Sequence, residues 1–225
     1  MKKIILISLL MLLGLSLLTA EAVALFTASK GTVELKRATK NIKFKTGDML
    51  NNNDEIRTGA QSFAAYKFID GTSTIKIFSN SFVKISAAKS GSNMNKTTMV
   101  NSGSVFASVT SNKGRMTVQT PTTVASVKGT GFMSKFNAAR ESFYIVTKGV
   151  IEVRVIATGE TRDVKAGQTA YIDKDGNMEI RPSSDDDLTE IEQAEVETSL
   201  VPETRTMLIP VVDEQGRVKY IEITY

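Results

Sequence analysis

Two short stretches hold residue types that could do chemistry. Lys128-Gly129-Thr130-Gly131 has the look of the end of a phosphate-binding loop, where glycine amides and a lysine cradle phosphate oxygens. It lacks the upstream glycine that such a loop requires, so phosphate chemistry is not expected there. Asp173-Lys174-Asp175-Gly176-Asn177-Met178-Glu179 gathers carboxylates around a glycine, as calcium loops do. The run is too short for a twelve-residue loop with a distal bidentate acid, and a tight turn is the expected reading. Cys, His and Trp are all absent, which removes any thiolate nucleophile, imidazole base, disulfide or usual zinc ligand set. No Gly-x-Ser-x-Gly nucleophile elbow is present. The expectation is a protein that is not an enzyme and takes neither metal nor other cofactor.

The elements around these residues read as short strands punctuated by turns. Ala64–Ile69, Ser73–Phe78 and Val83–Ile85 alternate apolar with polar, the period of a strand with one wet face. Asp70-Gly71 is a hairpin signal between two of them, Asn51–Asp54 a turn, and Ser90–Asn95 a loop expected to be the most mobile point of the body. In Gln119–Phe132 an apolar run is held between Thr120-Pro121 and Gly129-Thr130-Gly131, and is expected to be a core strand between two enforced bends. A weak repeat links Lys30-Gly31-Thr32-Val33-Glu34-Leu35 to Lys148-Gly149-Val150-Ile151-Glu152-Val153, with Ser102-Gly103-Ser104-Val105 as a partial copy. Each copy is a glycine bend launching a strand. The fold class expected is all-β, a wrapped or solenoid-like body with a small C-terminal helix and a two-stranded appendage.

Thr120-Pro121, Ala125, Val127, Lys128-Gly129-Thr130 and Phe132 together resemble the central signature of the FecR-type domain. Collinear matches flank it: Gly31-Thr32-Val33, Thr46-Gly47-Asp48-Met49-Leu50, Ile56-Arg57-Thr58-Gly59 and Phe68-Ile69-Asp70-Gly71-Thr72. Gly103–Ala107, Lys148-Gly149-Val150 and Lys165-Ala166-Gly167-Gln168 follow, so the resemblance covers about residues 28–178. The structural signature it marks is Gly47, Asp48, Thr58, Gly59, Asp70, Gly71, Thr120, Pro121, Gly129, Thr130, Gly149 and Gly167. The resemblance implies an envelope domain that acts by interaction. The best-known relatives also carry a cytoplasmic segment acting on a sigma factor, and only Met1-Lys2-Lys3 precedes the apolar run here.

That run, Ile4–Leu18, follows a positive start and leads to Ala20, Ala22 and Ala24, the pattern of a secretory signal with cleavage after Ala22 or Ala24. Export to the periplasm or outside the cell is expected. The expected division is residues 1–24 as signal peptide, 25–180 as FecR-like β domain, and 181–225 as an acidic helix and hairpin tail. Residues 25–180 hold 22 Lys and Arg against 12 Asp and Glu, a net of +10; residues 181–225 hold 4 against 11, a net of −7. In the tail, Ser183-Ser184-Asp185 is expected to cap a helix with Leu188, Ile191 and Ala194 on one face, and Pro202 to end it.

The function expected is a non-catalytic envelope binding or signalling module. Its partner would be an envelope protein or a second copy, contacted through the tail. An anionic envelope polysaccharide or other polymer is the alternative. Nucleic acid is not expected, because export removes it and Lys43, Lys45, Lys67, Lys76 and Lys84 are spread along solvated strand faces. Membrane contact is expected only through an uncleaved signal. The aromatics Phe63, Tyr66, Phe68, Phe78, Phe82 and Phe106 are expected in the core.

Overall fold

The computed structural model describes residues 21–110, 114–199, 206–212 and 218–224. Residues 1–20, with the expected signal, lie outside the described residues. Apolar alternation forms strands throughout: β1 (Ala22–Lys30), β2 (Val33–Arg37), β3 (Lys40–Ile42), β4 (Met49–Asn51), β5 (Glu55–Thr58), β6 (Phe63–Phe68), β7 (Ser73–Ile77), β8 (Phe82–Ser90) and β9 (Asn93–Val109). After these come β10 (Met116–Gln119), β11 (Thr123–Val127), β12 (Gly131–Phe136), β13 (Ser142–Lys148), β14 (Val150–Val155), β15 (Thr161–Lys165), β16 (Gln168–Ile172) and β17 (Met178–Pro182). A helix, α1 (Asp185–Ser199), and a separate hairpin, β18 (Thr206–Val212) with β19 (Val218–Thr224), complete the order.

The body strands form two ladders that share β9. The first runs β4-β1-β6-β7-β9-β12-β13-β16-β17. The second runs β3-β2-β5-β8-β9-β10-β11-β14-β15. Strand β9 pairs in the second ladder through Asn93–Ser102 and in the first from Gly103 onward, bending at Gly103, whose φ is +85°. Body strands N-terminal to β9 lie on one side of it, and body strands C-terminal to it on the other.

Inward-facing residues of both ladders, among them Phe26, Ile56, Ile75, Val100, Val118, Phe132, Ile151 and Ile172, fuse into one core. The all-β architecture is as the alternation predicts. The repeated glycine units do not stack as parallel coils, because hairpins reverse the chain; of the body pairings only β9 with β10 is parallel. The expected loop at Ser90–Asn95 is a tight turn at Gly91 and Ser92, with β8 and β9 running up to it. Its outward residues are polar, which hides the strand period.

A second apolar cluster sits on the outer face of the first ladder. Phe63, Ala65, Phe78, Met133 and Ile145 pack there against Ile191 and Ala194 of α1. Burying Ile191 alone contributes about 2 kcal/mol. Ser184 caps the helix: its Oγ accepts from Asp187 N–H at 3.3 Å, and Asp187 Oδ2 accepts from Ser184 N–H at 2.9 Å. Leu188, expected on the buried face, is 43% exposed. The helix docks on the body, so its first ten residues belong to the body's packing. Ala22–Ala24 lie inside β1, and Arg181 and Pro182 close β17. No helix among the described residues is long and apolar enough to cross a membrane.

Candidate interaction surface

The signature residues fall at the two ends of the strands, where the chain turns or crosses from one ladder to the other. At one end, Gly31, Gly59 and Gly103 meet serines. Thr58 Oγ1 donates to Phe78 O and accepts from Ser81 N–H at 3.0 Å, and Gly59 N–H donates to Thr32 O at 2.9 Å. A Cβ on Gly103 would stand 2.2 Å from Ser81 Oγ, and one on Gly31 2.5 Å from Ser62 Oγ. These crossings are packed shut.

The same end holds Thr120-Pro121. The turn from β10 to β11 buries a hydroxyl cluster, in which Thr120 Oγ1 lies 2.7 Å from Thr123 Oγ1 and 2.9 Å from Ser142 Oγ. Tyr144 of the first ladder reaches across the core to Thr123 of the second, 2.7 Å between oxygens. On the other side of β9, Tyr66 makes the same bridge to Thr98, also at 2.7 Å. Burial pushes the Tyr144 hydroxyl up to about 12 and raises that of Tyr66 as well, so both stay neutral and hydrogen-bonded.

At the opposite end lie Asp70-Gly71, Gly129-Thr130, Gly149 and Gly167. Asp70-Gly71 makes the β6–β7 hairpin, with Asp70 Oδ1 accepting from Thr72 N–H at 3.1 Å. Beneath it Lys96, buried between the ladders, donates to Asp70 Oδ2 and to Thr72 Oγ1. Burial opposes the charge on Asp70, but Lys96 and the Thr72 donors outweigh it and hold the carboxyl below its usual range. A cleft of about 310 Å³ opens beside this pair, lined by Ile69, Asp70, Lys89 and Gly91–Met94.

The three remaining corners stand side by side. Gly149 abuts Gly129 and Thr130, since a Cβ there would be 2.8 Å from Gly129 O, and Ala166 N–H donates to Gly149 O at 2.9 Å. Each corner carries a lysine: Lys128 before Gly129, Lys148 before Gly149 and Lys165 two residues before Gly167. All three lysines are exposed, and no ion-pair partner stands by them among the described residues. This convergence was spelled out as Lys-Gly, Lys-Gly and Lys-Ala-Gly in the sequence, yet read there only as bends. Gly47 and Asp48 lie apart, in the turn before β4, where Asp48 Oδ2 accepts from Lys45 N–H at 2.8 Å.

The two chemical candidates resolve into structure. Lys128-Gly129-Thr130-Gly131 leads into strand β12 rather than a helix, so no helix N-terminus faces a phosphate. Asp173 spends its carboxylate on the turn, Oδ1 accepting from Asp175 and Asn177 N–H at 2.9 Å each. Among the described residues no group of three acidic side chains is placed to hold a metal ion. Of the aromatics, Phe63, Tyr66, Phe68 and Phe78 are buried and Phe106 partly so; Phe82 instead lies under the Arg57 guanidinium at 3.5 Å.

The outer strands of the body are blunted against further pairing. Edge strand β15 is Thr-Arg-Asp-Val-Lys, β17 ends in Pro182, and Arg162 Nη1 donates to Met178 O of β17 at 3.1 Å. Edges β3 and β4 are three residues each. The hairpin differs. Its register sets Met207 opposite Ile223 and Ile209 opposite Ile221, Pro210 interrupts the donors of β18, and β19 has no proline.

Residues 54–152 match the FecR protein family model, a segment holding Thr58 to Gly149 of the signature but not Gly47, Asp48 or Gly167. No curated protein matches the chain. Two crystal structures of a candidate anti-sigma factor from Parabacteroides distasonis ATCC 8503 share the fold, each at a TM-score of 0.52 and 14% identity, over 62% of this chain and 64% of theirs. The chain thus spans under two thirds of the length of those proteins. Over residues 54–152, then, the chain is similar to the FecR protein family.

Proposed function

We propose that the protein is a non-catalytic signalling module of the cell envelope that works by protein–protein contact, made by the β18–β19 hairpin. The observation that carries this reading is the contrast in edges: the body's outer strands are charged, short or proline-stopped, whereas β19 offers an uninterrupted apolar-rich edge. A two-stranded hairpin is marginal alone in water, so it gains most from a third strand supplied by a partner. The FecR-type domain supports a regulatory role, and an apolar leader of the kind in residues 4–18 supports export.

Crosslinking in cells followed by capture tests this. Deleting residues 206–225 should leave the melting temperature of the body unchanged and abolish partner capture. Undiminished capture of the same partners by the truncated protein would refute the assignment of the contact to the hairpin.

A further inference from the structure

The three lysine corners stand at one end of the strands, a feature that the proposed hairpin contact does not use. We infer that Lys128, Lys148 and Lys165, with Val150 among them, form a contact for an anionic lipid bilayer surface. Val150 pairs with Lys165, and Lys128 directly follows the Val127–Ile151 pair, so Val150 sits between two lysines on adjacent strands. It is 43% exposed, an apolar tip with Lys128 and Lys165 directly across from it on the adjacent strands. The nearest acids in these strands, Glu152 and Asp163, lie two residues back from the tip. The corners project rather than enclose, and a projecting ridge of lysines around an apolar tip suits a flat anionic surface better than a small ligand.

The place where β1 begins gives a second, independent reason. One register row runs across the first ladder from Leu25 through Lys67, Thr74, Ser108 and Gly131 to Lys148. The chain therefore enters the body, at Ala22–Ala24, on the end that carries the lysine corners. Ile69, 46% exposed, stands at that end too, its N–H bonded to Val23 O at 3.1 Å. Whatever holds the apolar residues 4–18 near a bilayer, even transiently during export, turns this end towards the headgroups.

Vesicle partitioning of the purified protein tests the inference, with phosphatidylglycerol–phosphatidylcholine vesicles against phosphatidylcholine alone. Replacing Lys128, Lys148 and Lys165 by Gln should lower the preference for anionic vesicles by roughly 100-fold at low salt, since each lysine near such a surface counts separately. Replacing Lys40, Lys43 and Lys45, exposed beyond the far side of β9, removes the same charge and should change the preference little. Raising salt to about 0.15 M should shrink the difference between the two triple variants. Equal losses in both variants would overturn the assignment, as would binding to soluble polyglutamate without vesicle binding, which would mark a polymer or protein site. The far-UV spectrum and melting point of each variant exclude misfolding as the cause.

Discussion

Gly103 at one end of the strands and Gly129 and Gly167 at the other are glycine for different reasons. At the Gly103 end, glycine is required by contact: Ser81 fills the space where a side chain would go. At the Gly129 end, a Cβ on Gly129 or Gly167 would meet nothing within 4 Å, so only the positive φ, +65° and +79°, selects glycine. One end closes the core, and the other holds lysines outward on turns of fixed geometry. Glycine spacing alone therefore says where the chain bends, but not whether the bend faces packing or solvent.

The largest effect that would break this comparison concerns the closed end. Gly103→Val should destabilise the body by about 4 kcal/mol or more, because it forces both a clash and a left-handed conformation on a β-branched residue. Chemical denaturation showing a loss no greater than that of Gly129→Val would erase the distinction. Gly129→Ala, with open space but φ of +65°, should cost about 1–2 kcal/mol, a backbone penalty only.

Tyr144→Phe should cost about 1–2 kcal/mol, since it strips one oxygen from a buried hydroxyl cluster and leaves Thr123 short of a partner. Tyr66→Phe should match it within error if the bridges on the two sides of β9 are equivalent. A smaller effect is expected from acid. Burial works against the charge on Asp187, but hydrogen bonds from Arg181, Ser184 and Thr169 prevail and lower its carboxyl to about 2. A depressed carboxyl adds stability above its unfolded value near 4 and forfeits it as pH falls towards 2. Urea melts across that window should show a decline on the order of 1 kcal/mol that Asp187→Asn abolishes. Smallest of all is the effect of trimming: if a leader is removed, N-terminal sequencing should find Val23 first, because cleavage after Ala24 would take Val23 and Ala24, 1% and 0% exposed, out of the core. Removing Glu21 and Ala22 forfeits an exposed ion pair with Lys89, worth under about 1 kcal/mol, the bond from Asn52 N–H to Glu21 O at 2.9 Å and the pairing of Ala22 with Asn51 at the start of β1.

Much of the fold was legible because it is local. The period of two in β8, the Asp70-Gly71 hairpin and the Ser184 cap each depend on neighbours within a few residues. The candidate surface was legible only in pieces. Lys128, Lys148 and Lys165 stand in three separate motifs; the ladder order β11-β14-β15 gathers the first and last, and the β13–β14 corner at Gly149 adds Lys148, through pairings that no short window contains. The same holds for Lys96, whose place on an alternating strand gave no hint that Asp70, far earlier in the chain, neutralises it. The exposure of Leu188 depends on how α1 is rotated against the first ladder, which the helical period leaves open.

Strand β9 has a mechanical consequence. Since every N-terminal body strand lies to one side of it and every C-terminal body strand to the other, this one element carries the strand-to-strand hydrogen bonds that join the halves, alongside the shared core and the packing of α1. A pull applied at one flank reaches the opposite flank along those bonds in both layers at once. The kink at Gly103 couples the layers within a single continuous backbone, so the body should yield as one unit rather than shed a half.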